Sequence, residues 1–166
     1  MAVCNTSTID VGKNVLAEWV AGCGDLDFEN ATFKLFGTTN TKSMNFTTST
    51  ADTTNDTSGP DTSTVATRRD GEFSVGGFQT IADSAISNQN ELIQYYHDEM
   101  DAGRQPSVWV KLSGPNYPRI YYVFCIITAV NESFNTDDPN GLEFTFKPSD
   151  TGVPGVPAVN LRTPTP

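Results

Sequence analysis

His97 is the only histidine in the chain, so a metal site built on several imidazoles is excluded, and any nucleophile triad must be organised around this one ring. Asp101 stands four residues further on and could orient that ring, but on an amphipathic helix this spacing ordinarily describes a surface side-chain pair. Asp25 with Asp27, and Glu91 with Asp98, could act as general acid and base only if folding set them roughly 5 to 9.5 Å apart across a cleft. The run NTDDPNG at residues 135–141 clusters oxygen donors, yet it lacks the twelve-residue layout and distal glutamate of an EF-hand loop and reads as an acidic turn. Cys4, Cys23 and Cys125 are widely spaced and form no CxxC pair, which argues against both a disulfide scaffold and a structural zinc site. Neither GxGxxG nor GxxxxGK[ST] occurs, so nothing points to a nucleotide cofactor. The expectation is a protein that is not an enzyme and takes no cofactor. Trp109, Tyr117, Tyr121 and Tyr122 offer a different chemistry, a stacking platform for sugars, although aromatics in strands more often pack a core.

The composition narrows the classes further. One hundred and sixty-six residues make one ordinary domain, and a net charge of -10 removes the electrostatic basis for gripping nucleic acid phosphates. Threonine occurs 22 times while only 18% of residues are charged, a bias toward strands and polar loops. The start, MAVCNTSTIDVGKNV, has neither the basic opening nor the continuous apolar core of a secretory signal. The longest nearly unbroken apolar stretch, Ile120 to Val130, is about half the ~20 residues a membrane-spanning helix needs, so no membrane insertion is expected.

The elements that must position these residues are mostly strands. Val11–Val20 and Ala31–Gly37 are apolar segments separated by a turn around Gly22 and Gly24. Lys42–Thr50 alternates, with Met44 and Phe46 on one side and Ser43, Asn45 and Thr47 on the other. Ala51–Thr67 has almost no apolar side chain and contains Gly59-Pro60, so it reads as a long polar loop. Glu72–Phe78 alternates again, with Gly76-Gly77 permitting a bend or bulge. A helix over about residues 88–102 follows, with Asn88 and Glu91 resembling a capping box and Gly103 a stop; its last turn carries Asp98, Glu99 and Asp101, the wrong sign for the helix dipole. Ser107–Ser113, Arg119–Phe134 and Leu142–Lys147 complete the strands. In the long one, Tyr121, Val123, Cys125 and Ile127 share one face and Tyr122, Phe124, Ile126 and Val130 the other, so both faces need cover. Five of the ten prolines fall from Pro148 onward, which predicts an extended or mobile tail outside the sheet.

Taken in order, VGKNVLAEWV, LFGTTNTKSMNFTTSTADTTNDTSG, EFSVGGF, NELIQYYHDEMDAG and the stretch from VWVKLSGPNYP to LEFTFKPS resemble the major tail tube protein family of long-tailed (siphovirus-like) bacteriophages, over nearly everything up to Ser149. The resemblance implies a mainly β fold, a β-sandwich or barrel of antiparallel strands with one flanking α-helix and a long polar loop. It implies an arm at residues 1–10, a tail-tube domain at 11–149 with the loop at 51–67, and a Pro-rich tail at 150–166. It further implies a virion tail component, made in the host cytoplasm, whose hexameric rings stack into a tube with an acidic lumen that conducts double-stranded DNA without specific binding. Implied partners are other copies of the chain, tail tip and tail terminator proteins, and a tape measure protein. Suspected assembly contacts are Tyr122, Phe124 and Ile126 on the long strand and Asp52, Asp56 and Asp61 in the loop. The alternative is a carbohydrate-binding or host-recognition β-sandwich module built on the aromatic platform.

Overall fold

The computed structural model describes residues 15–54, 64–115 and 117–163. Its strands are β1 (Leu16–Ala21), β2 (Lys34–Leu35), β3 (Thr39–Asp52), β4 (Thr64–Phe78), β5 (Ser107–Ser113), β6 (Ile120–Ser133), β7 (Gly141–Pro148) and β8 (Val159–Arg162), with helix α1 (Gln89–Asp101) between β4 and β5. Among the described residues all eight strands belong to one sheet, ordered β2-β1-β5-β6-β7-β4-β3, with β8 also on β6, and every neighbouring pair is antiparallel. The expected mainly β architecture with one helix is therefore present. The strands form one continuous sheet, and its terminal strands β2 and β3 do not pair with each other.

Alternation explains which side chains the sheet buries. Phe73 and Val75 of β4 lie opposite Phe146 and Phe144 of β7 in register, and the Phe73 and Phe146 rings stack with centroids 5.5 Å apart. With Ala17 and Trp19 of β1, Val108, Val110 and Leu112 of β5, Val123, Cys125 and Ile127 of β6, and Phe36, they form the main core, which α1 closes with Leu92. On β3, Met44 packs against this core while Ser43, Asn45 and Thr47 are exposed, as the period of two predicts. Gly77 is required by close approach, because a Cβ there would lie 2.1 Å from the Thr38 carbonyl oxygen, opposite a register shift in β3.

The central strands β5 and β6 are covered on their second face as well. Trp109 and Phe124 form a second core with Phe28, Val20, Leu26, Phe33, Tyr122 and Val156. The cover comes from two irregular segments, 22–33 and 149–158, which touch at Gly24; a Cβ on Gly24 would sit 2.0 Å from the Thr151 carbonyl oxygen. Trp109 donates its indole N–H to the Cys23 carbonyl at 3.0 Å, which satisfies its one polar atom inside the core.

Four sequence expectations change. Val130 packs against the main core rather than sharing a face with Phe124, because a bulge between Ile127 and Ala129 inserts Thr128 and reverses the alternation. The polar segment 51–67 is shorter as a loop: β3 runs to Asp52 and β4 starts at Thr64, paired as a long hairpin, because β-branched and small polar residues suit an exposed two-stranded ladder. The proline-rich tail enters the sheet, with β8 taking the part of the β6 edge that β7 leaves free at Pro148. Arg162 ties β8 to Glu29 of the covering segment at 2.8 Å.

The fourth change concerns α1. Asn88 makes no side-chain capping bond; instead the Asp83 carboxylate accepts the Asn90 and Glu91 amides at 2.9 and 2.7 Å, supplying negative charge at the helix start from the preceding turn. At the other end the acidic turn is held by Arg104, whose guanidinium grips Glu99 through two bonds at 2.9 and 2.6 Å. Gly103, at φ +68°, supplies the left-handed stop.

Candidate assembly surface

The residues with catalytic chemistry do not converge. His97 is exposed and meets Tyr96 edge-on, Glu91 pairs with Lys34, Asp98 accepts from Gln94, and Asp27 accepts from Asn30. Among the described residues no three His, Cys, Asp or Glu side chains gather as a metal site, and no helix is long and apolar enough to cross a membrane. Burial pushes the Cys125 thiol far above its ordinary range, which removes it as a nucleophile. Cys23 is free and exposed; Cys4 lies outside the described residues.

The aromatic platform is not assembled either. Trp109 is 0% exposed in the second core, whereas Tyr121 lies on the opposite face of β6 and packs against the main core, beside Tyr117 at 6.3 Å between centroids. Alternation along β6 separates Tyr121 from Tyr122, so these four rings cannot present one stacking surface.

The suspected contact residues divide by accessibility. Phe124 is 5% exposed and is covered by its own chain, through Phe28, Trp109 and Val156. Tyr122 and Ile126 are half-buried, leaving part of each side chain at the surface. Asp52 is exposed at the far end of β3, where Thr54 donates both its amide, at 2.8 Å, and its hydroxyl to the carboxylate. Those bonds hold the carboxyl below its usual range, the hydroxyl bond having the larger effect. Asp56, Asp61 and the arm at residues 1–10 lie outside the described residues.

Three surface features were not marked by sequence reasoning. β3, fourteen residues long, ends the sheet order, and its outer edge has no partner strand among the described residues. Such an edge is a template for pairing with another chain. A groove of about 550 Å³ opens between β3 and the start of β6, floored by Met44, Phe46, Phe73, Leu112 and Tyr121. At the opposite end of β6, Phe134 is 72% exposed on the turn that carries Asp137 and Asp138. Strand alternation identifies buried faces, but it says little about which strand lies at an edge or what a turn presents.

No family model and no curated protein matches the sequence. Solved structures do match in three dimensions. A chain from the virion of a native gene transfer agent particle aligns with a TM-score of 0.64 at 16% identity, over 93% of this chain and 100% of its own length. The common ground is the fold. A chain from the tail of an empty gene transfer agent particle, refined with C6 symmetry, gives 0.63 at 16% identity over 95% and 100%. The SPP1 tail tube gives 0.60 at 11% identity over 93% of this chain and 79% of that one.

Proposed function

We propose that this chain is a structural subunit of a tail tube, forming stacked hexameric rings whose acidic lumen conducts DNA during ejection. The observation that carries the reading is the likeness in fold to chains from a virion, a tail and a tail tube over more than nine-tenths of this chain. The molecule's own physics agrees with it. A sheet that leaves the fourteen-residue β3 edge unpaired gains from a neighbour that covers it, and a closed ring removes every such edge. The net charge of -10, repeated around a ring, repels a polyanion in transit where a basic channel would hold it through counterion release.

In this reading Tyr122 and Ile126 meet a neighbour with their exposed parts while Phe124 supports them from beneath. Asp52, Asp56 and Asp61, on or beside the β3–β4 connection, and the arm at residues 1–10 reach other subunits or rings. Tail tip, tail terminator and tape measure proteins are its partners in the virion tail.

Electron microscopy of the purified full chain at high concentration tests the proposal. Rings and tubes are expected, and a strictly monomeric protein across salt conditions overturns it. Replacing residues 53–63 by a two-residue Asn-Gly turn should preserve the melting temperature while impairing ring stacking. Normal stacking removes the role assigned to that connection.

A further inference from the structure

The groove and Phe134 are complementary features at opposite ends of one strand. Tyr121, in the groove wall, lies near the start of β6, and Phe134 follows immediately after its end. Thirteen residues of extended chain at about 3.3 Å each separate them, about 40 Å, so a subunit cannot fill its own groove with its own Phe134. The groove volume, about 550 Å³, is within the usual range for sites that enclose a small apolar group, and the floor is apolar or aromatic. The charges also match. Glu132, Asp137 and Asp138 lie within four residues of Phe134 in the chain and make no ion pair among the described residues, while Lys42 lines the groove and the exposed Arg119 acts electrostatically on Tyr117 of its lining.

We propose that Phe134 of one copy inserts into the groove between β3 and β6 of a second copy, with its acidic turn facing Lys42 and Arg119. The contact is head-to-tail: each copy offers a knob at one end and a hole at the other. A heterologous contact of this kind propagates as an open stack unless a rotation closes it. Lys42 gains most from such a partner, because partial burial already pulls its ammonium below the ordinary lysine range and an approaching carboxylate reverses that effect. The inference rests on the tube reading only in taking the second copy to be the next subunit along the stack.

Crosslinking of the full chain tests it. In a Cys4→Ser, Cys23→Ser background, Phe134→Cys and Met44→Cys are made singly and together. Under mild oxidation, mixing the single variants should give a covalent dimer that neither gives alone, and the double variant should give a ladder of multimers. Phe134→Ala, a change at an exposed site, should raise the concentration needed for assembly about tenfold or more, with Phe134→Leu keeping most of the effect. Tubes that form without a ladder and are indifferent to Phe134→Ala overturn the contact and leave the tube reading standing. A ladder without rings or tubes supports the contact and removes that reading. An intrachain link between Ile9→Cys and Met44→Cys at full occupancy overturns the contact, because the chain's own amino-terminal segment then fills the groove.

Discussion

Phe124 decides whether the second apolar face of β6 serves the subunit or its neighbours. Its side chain is 5% exposed, and the rings and aliphatic groups around it all come from the same chain. Phe124→Ala deletes a ring from this second core, where Trp109 lies 5.3 Å from it between centroids and stacks on Phe28 at 4.4 Å. A Phe-to-Ala change at a closely packed site costs about 3–5 kcal/mol, a large part of the ~5–15 kcal/mol that holds a domain folded. For a domain of this size that corresponds to a fall in melting temperature of about 6–20 °C. Circular dichroism on dilute protein, below any concentration that supports assembly, isolates this effect from subunit contacts. Ile126→Ala serves as the control, since its half-buried side chain loses less packing. A Phe124→Ala protein that melts within a degree or two of the parent refutes the covering role of segments 22–33 and 149–158. The residue then belongs to an interface between copies.

Tyr122→Asp should leave a folded monomer, because the side chain reaches the surface, while reducing tube yield in microscopy; normal tubes with a normal melt remove Tyr122 from the contact set. Gly77→Ala should destabilise by several kcal/mol, since the added carbon meets a backbone carbonyl that cannot turn away, and a neutral urea midpoint refutes that close approach. Asp83→Ala should cost about 1 kcal/mol by uncapping α1, whereas Asn88→Ala should cost less; the reverse order in urea titrations restores the capping box. The Arg104 bond holds the Glu99 carboxyl below its ordinary range, so its folded value lies below the unfolded one. The resulting stability is complete above about pH 4.3 and is lost as the pH falls through the folded value, and Glu99→Gln should flatten the stability curve in that acid window. An unchanged acid slope refutes the contribution.

The elements legible in the sequence are those whose periodicity is continuous. Phe73 and Val75, the run Leu142, Phe144, Phe146, and the helical spacing of Leu92, Ile93, Tyr96 and Met100 each announce one buried face, and the structure places all of these against the main core except Met100, which is exposed in the last turn of α1. What was illegible depends on single insertions or long-range partners. One extra residue at Thr128 moves Val130 to the other face, and nothing in ITAVNES marks where the alternation breaks. Segments 22–33 and 149–158 cover Phe124 with Leu26, Phe28, Phe33 and Val156, spaced without period, so their shared destination appears only in three dimensions. The same holds for Asp83, which caps a helix from outside its first turn, and for β8, whose short run Val159–Arg162 becomes a strand because β6 has an unfilled edge. Among the suspected contacts, the acidic residues of the polar segment came from the family resemblance, whereas the unpaired β3 edge and Phe134 are set by topology.

The pairing of β1 with β5 has a kinetic meaning. β1 comes early in the chain, but its longer partner β5 is made only after the β3–β4 hairpin and α1 have been completed. Until then β1 has only the two-residue β2 beside it, and the closure of that large loop must be repaid by contacts far apart in sequence. The β5-β6-β7 meander, joined by short turns, is the part able to form first, and β1 and β8 then add to its flanks. The last pairing uses β8, which follows every other described strand in chain order. A chain made only as far as Pro157 leaves the Ile120–Val123 edge of β6 open, so that edge is closed only after every other strand of the sheet has been made.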